Sequence, residues 1–143
     1  WYREMFAPKI VAGLLRPENL AGYRNGPVYL QGSRHVPLNA DAVRDAMPAF
    51  FTLLMEEPDP TVRIVLGHFI YVYIHPYYDG NGRTGRFLMN VMMAAGGYPW
   101  TVIPKQSRAD YMAALEAAST LGDIGPFTDF LAAHLGHAGV TSG

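Results

Sequence analysis

Apolar residues recur through most of this chain at the three- and four-residue spacing that is typical of amphipathic helices. The clearest stretch has its apolar positions at Val43, Met47, Phe50 and Leu54. They predict a helix from about Ala40 to Glu56, with Asn39 as its N-cap. Pro48 lies in the middle of this stretch, so we expect the helix to be kinked or split there.

Another stretch, from Pro60 to Ile74, is apolar nearly all round, which predicts a central buried helix that begins after the N-cap Asp59. Four further helices are predicted. One covers residues 3–15, and another covers residues 83–95 and ends before Gly96-Gly97. A third begins at a capping box formed by Ser107 and Asp110 and runs to about Thr120, and the last runs from Gly125-Pro126 to about Leu135. We expect the tail from Gly136 to Gly143 to be frayed.

The segment from Val28 to Leu38 has a different pattern. Val28-Tyr29-Leu30 and His35-Val36-Pro37 flank the turn-like Gln31-Gly32-Ser33-Arg34, which predicts a short β-hairpin. Pro37 restricts the second arm to an edge position, because proline has no N–H to donate. The whole pattern therefore predicts an all-α fold, a compact helical bundle with one small β-hairpin.

Composition supports a single globular domain over residues 1–143, since half of the residues are hydrophobic and 16% are charged. The net charge of −1 gives no electrostatic case for a nucleic-acid or acidic membrane partner. There is no cysteine, which excludes disulfides and thiolate metal sites. Arg63, Gly67 and His68 interrupt the longest apolar run, and no membrane span or signal peptide is predicted. Because the chain begins at Trp1 without methionine, we expect it to be a fragment of a longer protein.

One polar stretch, His75 to Arg86, separates two segments that have the character of buried helices. Gly80 and Gly82 allow the backbone to approach a ligand closely, and a helix N-terminus that follows such a turn binds anions. Arg83 and Arg86 add fork-shaped donors that match phosphate oxygens.

The same stretch carries groups suited to chemistry. Asp79 is a candidate ligand for a hard divalent cation, and His75 is a candidate proton acceptor near neutral pH. A helix–helix turn with capping charges is the simpler alternative, but it does not require two arginines, two glycines, an asparagine and an aspartate together. The residues themselves therefore predict a phosphate-binding catalytic loop.

The stretch from His75 to Arg86 resembles the Fic family motif, H-x-F-x-D/E-G-N-G-R-x-x-R, with Tyr77 standing where the family usually has Phe. Other stretches that resemble the family are Gly22-Tyr23-Arg24, the flap-like Val28 to Leu38, Gly97-Tyr98-Pro99 and Gly122-Asp123-Ile124. The resemblance covers roughly residues 10 to 135. We expect the ring of Tyr77 to pack into the core as the family's Phe does.

The resemblance implies a protein adenylyltransferase that moves AMP from Mg-ATP to a Tyr, Thr or Ser hydroxyl of a target protein. It implies His75 as the base, Asp79 as the Mg²⁺ ligand, Gly80, Asn81 and Gly82 as a phosphate cradle, Arg83 on the β-phosphate and Arg86 on the γ-phosphate. By resemblance alone, Asn90 and Tyr111 approach the nucleoside. Where the family often has an Asn facing adenosine, this chain has Ser119, so base specificity stays open.

The resemblance also implies partners. The target protein is expected to pair with the edge of the flap, Val28 to Leu38. The inhibitory pattern S/T-x-x-x-E-G/N is absent, because Glu18-Asn19 has Leu14 where Ser or Thr is required. We therefore expect an unrestrained site, with any inhibitory helix supplied by an upstream segment or a separate protein. A cytoplasmic protein is the default expectation.

Two alternatives to AMP transfer remain. One keeps the fold: removal of AMP from a modified protein, or transfer of another phosphate-linked group. The other is a non-catalytic module for nucleotide binding or protein docking, against which His75 and Asp79 argue because binding needs no base. For His68 we expect a hydrogen-bonded core histidine rather than a ligand. We interpret His134 and His137 as packing or solvated residues rather than a metal pair.

Overall fold

The computed structural model describes residues 22–136, and within that part of the chain all regular structure is helical. The helices are α1 (Ala40–Glu56), α2 (Pro60–Ile74), α3 (Asn81–Ala95), α4 (Arg108–Leu121) and α5 (Gly125–His134), with a 3₁₀ turn at Lys105–Ser107 before α4. The predicted all-α class is confirmed. The predicted helix over residues 3–15 and residues 137–143 of the predicted frayed tail lie outside the described residues.

Helix α1 has the predicted bounds and cap. The Asn39 side-chain oxygen accepts a hydrogen bond from the Ala42 N–H at 2.8 Å. The helix runs through Pro48 as one element, so it is not split there, and the expected kink stays a prediction. Proline removes one hydrogen bond of the ladder, but the buried face of α1 on both sides of it packs into a single core cluster, and this packing holds the helix together. The buried residues of that face are Val43, Met47 and Phe50.

Helix α2 is the central element, as predicted. Asp59 caps its first turn, accepting from the Thr61 N–H at 2.8 Å. Its neighbours are α1, α3, α4 and α5. One core cluster joins α2 to α3, α4 and α5, and a second joins it to α1. Because α2 is packed on several sides, the position of its C-terminus, and of the loop that follows, is set by the core.

Helix α3 begins at Asn81, two residues before the predicted start. Its N-cap is Gly80, which has φ 78° and offers no side chain to cap the first turn. A left-handed backbone at this position favours glycine. Three methionines of this helix, Met89, Met92 and Met93, are buried in the core. The C-terminus of α2 and the N-terminus of α3 thus meet at the loop that carries the polar motif.

The predicted β-hairpin is not formed. Residues 28–38 contain a turn at 31–32, closed by a bond from the Ser33 N–H to the Leu30 carbonyl at 3.1 Å, but no paired strands. Pro37 is buried and has no N–H to add to a ladder, and residues 33–35 bond to α2 and α4 instead. The segment is held by helices rather than by its own pairing.

The predicted capping box at Ser107 is also wrong, since its side chain makes no capping bond to α4. The Ser107 hydroxyl instead lies 3.0 Å from Nε2 of His134, whose Nδ1 is 2.8 Å from the Phe130 carbonyl oxygen. His134 also stacks on the Phe130 ring, with centroids 4.1 Å apart, so it packs as predicted. His137 lies outside the described residues. Among the helices of residues 22–136, none combines the length and apolar character that spanning a bilayer requires.

Candidate functional site

His75 follows α2 directly and has a left-handed backbone with φ 54°. Such a φ is uncommon for a residue other than glycine, so contacts on both sides have to hold it. Its N–H donates to the Tyr71 carbonyl at 3.1 Å, and its own carbonyl accepts from Nε of Arg24 at 2.6 Å. The backbone of the candidate base is therefore fixed from the preceding helix turn and from a segment 51 residues earlier.

Arg24 is the residue that holds this corner of the structure together. Its guanidinium is 1% exposed and donates only to backbone carbonyls. The acceptors are the carbonyls of Gly26 at 3.0 Å, Ile74 at 3.2 Å, Leu38 and His75. In the sequence Arg24 stands out only as part of the triplet Gly22-Tyr23-Arg24, which indicates no structural role for it. One signal was available, because no Asp or Glu lies between residues 19 and 40 to pair with it.

The electrostatics around His75 keep its imidazole neutral. Burial is the main cause that lowers its pKa from 6.5 to about 4, and the charges of Arg24 and the nearby His35 contribute to the same decrease. Asp79 acts in the opposite direction but does not compensate. At neutral pH the ring therefore has an unprotonated nitrogen, which is the form that accepts a proton.

The Asp79-Gly80-Asn81 stretch is ordered by its own hydrogen bonds. The Asp79 carboxylate accepts from the Gly80 N–H at 2.7 Å. Asn81 is 2% exposed; its side-chain oxygen accepts from the Tyr77 N–H at 2.9 Å and its amide donates to the Tyr77 carbonyl at 2.7 Å. The side chain of Asn81 therefore closes the loop on itself, and its phosphate contact stays a prediction.

The two motif arginines differ in exposure. Arg83 is exposed on the first turn of α3, whereas Arg86 is half-buried. The guanidinium of Arg86 lies beside Gly82, where an added Cβ would come within 3.2 Å of Nη1. Arg86 also reaches the Tyr111 hydroxyl; its hydrogen bond and its charge lower the pKa of that phenol, but burial dominates and raises it to about 12.

A cavity of about 350 Å³ brings several of these groups together. Three motif residues line it, His75, Gly82 and Arg86. Its other walls come from segment 28–38 and from α2 and α4, and include Tyr29, Ser33, Tyr73, Tyr111, Glu116 and Ser119. The predicted site residues Asp79, Gly80, Asn81 and Arg83 belong to the loop but are not among the lining residues.

The expected approach of Asn90 to the nucleoside does not fit its surroundings. Asn90 is 4% exposed, and its amide exchanges two hydrogen bonds with the Thr101 backbone, at 2.9 and 2.7 Å, and donates a third to the Arg86 carbonyl at 3.1 Å. We assign it to the fold. Tyr111 and Ser119, by contrast, do line the cavity.

A larger cavity of about 490 Å³ lies elsewhere and is almost wholly apolar. Its walls include Met47, Phe51, Phe87, Leu88 and Val91, together with Tyr77. The Tyr77 ring packs against Tyr23, with centroids 5.6 Å apart, and joins the α1–α2 core cluster, as predicted. This cavity lacks the charged groups that phosphate chemistry requires, so the smaller one is the candidate site.

His68 is a core histidine, as predicted. It is fully buried, with Nδ1 2.9 Å from the Gly85 carbonyl oxygen and Nε2 2.6 Å from the Tyr111 hydroxyl. Burial lowers its pKa to about 4, so the ring is neutral. Nδ1 must then carry the proton donated to the carbonyl, and Nε2 accepts from the hydroxyl. His68 thereby links α2, α3 and α4 directly beneath the site.

No group of three or more His, Asp or Glu side chains within residues 22–136 is arranged to hold a metal ion. The loop from His75 to Arg86 contains one carboxylate, that of Asp79. It is half-exposed, and one of its oxygens accepts a hydrogen bond from the Gly80 N–H. This fits an ion such as Mg²⁺, which binds through one or two carboxylates and takes its other ligands from phosphate oxygens and water.

Comparisons with known proteins agree with the motif. The Fic/DOC family model matches residues 3–93, more than half of the chain. The protein adenylyltransferase fic-1 of Caenorhabditis elegans is 34% identical over 128 residues, which cover 87% of this chain and 25% of that protein. The protein adenylyltransferase Fic of Drosophila melanogaster is 39% identical over 126 residues, 85% of this chain and 25% of that protein. The chain therefore spans about a quarter of the length of these curated relatives.

Solved structures with the same fold are also found. Fic-1 from C. elegans superposes with a TM-score of 0.73 at 32% identity, covering 88% of this chain and 37% of that one. A Fic-domain signalling protein from Bacteroides thetaiotaomicron gives a TM-score of 0.67 at 27% identity, covering 78% of this chain and 50% of that one.

Proposed function

Since the chain belongs to the Fic/DOC family, we propose that it transfers the AMP group of ATP to a hydroxyl of another protein. The observation that carries this proposal is the neutral His75 imidazole in one cavity with Gly82 and Arg86. A neutral base, an arginine and a helix N-terminus in one place suit a reaction in which a hydroxyl attacks a phosphate. The names of the curated relatives point to the same activity.

In the proposed reaction, His75 accepts the proton of the acceptor hydroxyl as its oxygen bonds to the α-phosphorus. The bond from that phosphorus to the oxygen bridging to the β-phosphate breaks, and pyrophosphate leaves with the electron pair. Negative charge accumulates on the phosphate oxygens during this step, so donors aimed at them lower the barrier. Arg86 beside Gly82, Arg83 and the backbone at the start of α3 are the groups suited to that task.

Asp79 is the residue that we assign to Mg²⁺, which would offset phosphate charge when bound. The chain's own contribution is geometric, because the bonds within the loop fix where Asp79 and Gly80 lie. Asn81 closes the loop through both its oxygen and its nitrogen, and His75 is fixed by Arg24. The loop is thus built before the nucleotide arrives, which is how preorganised donors act.

The acceptor protein is proposed to bind at the flap, Val28 to Leu38. Tyr29 and Val36 on this segment are 79% and 67% exposed, so it presents apolar groups that are typical of a protein contact. An inhibitory helix and a cytoplasmic location stay predictions.

The test uses ATP labelled either at the α- or at the γ-phosphate, incubated with the protein, Mg²⁺ and a cell lysate. Compared with the lysate alone, we expect additional label on protein from α-labelled ATP only. Additional label from γ-labelled ATP would indicate phosphorylation by this chain and contradict the proposal. His75→Ala should reduce AMP transfer by about 10²–10⁴-fold, the range for a positioned base, with Mg-ATP affinity within about threefold of wild type. His134→Ala is the matched control, since that ring packs against Phe130 away from the cavity and transfer should be unchanged.

A further inference from the structure

Glu116, on α4, holds two consecutive residues of the flap. Its carboxylate accepts from the Ser33 hydroxyl at 2.5 Å through one oxygen and from the Arg34 N–H at 2.8 Å through the other. These bonds join positions 83 and 82 residues apart in the chain. The hydrogen bond from Ser33, followed by that from Arg34, lowers the pKa of Glu116, so the carboxylate is ionised and is the stronger form of acceptor.

The next residue attaches the flap to a second helix. The His35 ring nitrogen Nε2 lies 2.9 Å from the Tyr73 carbonyl oxygen on α2. The backbone N–H of His35 donates to the Ser33 hydroxyl oxygen at 3.0 Å. Its ring also lies against the Tyr73 ring, with centroids 4.1 Å apart. We call residues 33–35 the clamp. Through it the flap is fixed to α2 and α4 at once, on the wall of the cavity that contains His75.

Glu116 has no place in the handling of phosphate. Its negative charge repels phosphate oxygens, and both of its oxygens already accept hydrogen bonds from the clamp. We propose that Glu116 is a positioning residue for the acceptor protein: by holding the clamp it sets the position of the flap, and so the approach of the acceptor hydroxyl to His75. This inference rests on the proposed AMP transfer and deepens it, because it separates acceptor positioning from nucleotide binding within one cavity.

The experiment compares two turnovers of the same site. One is transfer of label from α-labelled ATP to the proteins of the cell lysate used in the test above. The other is release of AMP from ATP to water, which needs no acceptor protein. For Glu116→Ala we expect transfer to fall about tenfold, the effect of losing hydrogen bonds to a charged group, while AMP release and Mg-ATP affinity stay within about twofold. Hydrogen exchange at the Arg34 amide should become about tenfold faster, because that N–H loses its acceptor.

Matched variants keep the result specific. Asp110→Ala removes an exposed carboxylate from the same helix and should change none of the readouts. Glu116→Gln keeps one acceptor oxygen and should restore part of the transfer. Ser33→Ala should reduce transfer less than Glu116→Ala. In the double variant the loss should be smaller than the sum of the two single losses, because both changes remove the bond between Ser33 and Glu116, while Ser33→Ala alone also removes the bond from the His35 N–H.

Two outcomes would overturn the inference. If AMP release falls as far as transfer, Glu116 serves the nucleotide site or the fold; if transfer and Arg34 exchange are unchanged, the clamp has no positioning role. Failure of the proposed function has a different signature, since the wild-type chain would then label no acceptor from α-labelled ATP. In that case the exchange rate at Arg34 still decides whether Glu116 holds the clamp.

Discussion

Replacement of Arg24 by methionine should destabilise the protein far more than loss of any surface arginine. The change keeps an apolar stem of similar length and removes every donor of the guanidinium. Four backbone carbonyls then lose a partner, those of Gly26, Leu38, Ile74 and His75. The bond to Ile74 lies fully within the interior, so water cannot replace it there.

The magnitude follows from two opposing effects. The buried Ile74 carbonyl left without a partner costs about 2 kcal/mol, within the usual range of about 1–3 kcal/mol. The three partly buried carbonyls each cost about 0.5–1 kcal/mol, the net value of a typical hydrogen bond, so the total is about 4 kcal/mol. Removing the charge also removes its desolvation penalty, which offsets part of the loss. We expect a net decrease of about 3 kcal/mol in the free energy of unfolding, out of about 5–15 kcal/mol for a domain. This corresponds to a Tm lower by about 6–12 °C for a chain of this size.

Urea denaturation followed by circular dichroism, together with calorimetry, measures both quantities. Arg44→Met is the control: Arg44 and Asp41 form an exposed pair at 3.1 Å, with side chains 54% and 97% exposed. Its loss should change stability by less than about 0.5 kcal/mol. If Arg24→Met were no more destabilising than this control, the reasoning would be refuted. Arg24→Lys should fall between the two, because an ammonium keeps the charge but cannot reach four carbonyls in the fork geometry.

Three further predictions concern the loop and the core beneath it. The His68 pKa is about 4 in the folded state against 6.5 unfolded, so the unfolded chain binds more protons between these values. The free energy of unfolding should therefore fall as pH decreases through that window, with a contribution from His68 of up to about 3 kcal/mol. Urea titrations at pH 7 and 4.5 measure this decrease, and an equal free energy of unfolding at both pH values would contradict it. Asn81→Ala releases the Tyr77 backbone, and AMP transfer should fall with a Tm decrease of a few degrees, whereas unchanged values would exclude a loop-closing role. Gly85→Val should cost about 1–3 kcal/mol, measured by urea denaturation, because a Cβ there already meets Val72 at 3.0 Å.

Features that depend on neighbours in the sequence could be predicted well. The pair Asp59-Pro60 gives both the cap and the first residue of α2, and the structure has both. Glycines at 80 and 82 marked the loop where one helix ends and another begins. Such signals are local, because an N-cap acts within three residues and a left-handed turn within one.

Features that depend on distant partners could not be predicted. The hairpin pattern of residues 28–38 was a sound local signal, but Ser33 bonds to Glu116, 83 residues away. The capping box at Ser107 fails for the same reason, because its hydroxyl pairs with His134, 27 residues later. The roles of Arg24 and Glu116 were missed since nothing near them in the sequence shows what they contact. At Pro48, packing of the buried face outweighed a correct local preference.

The start of α3 has a consequence for how this site responds to mutation. Its N-cap is a glycine, and no side chain caps the first turn. The contribution that we propose for this turn to phosphate binding comes from the main chain, which side-chain substitution leaves in place. Scanning mutagenesis of the motif should therefore under-report this contribution: changes at Arg83 or Arg86 weaken phosphate recognition without abolishing it. This proposed main-chain contribution should persist through such changes as long as position 80 keeps a residue that accepts a left-handed backbone.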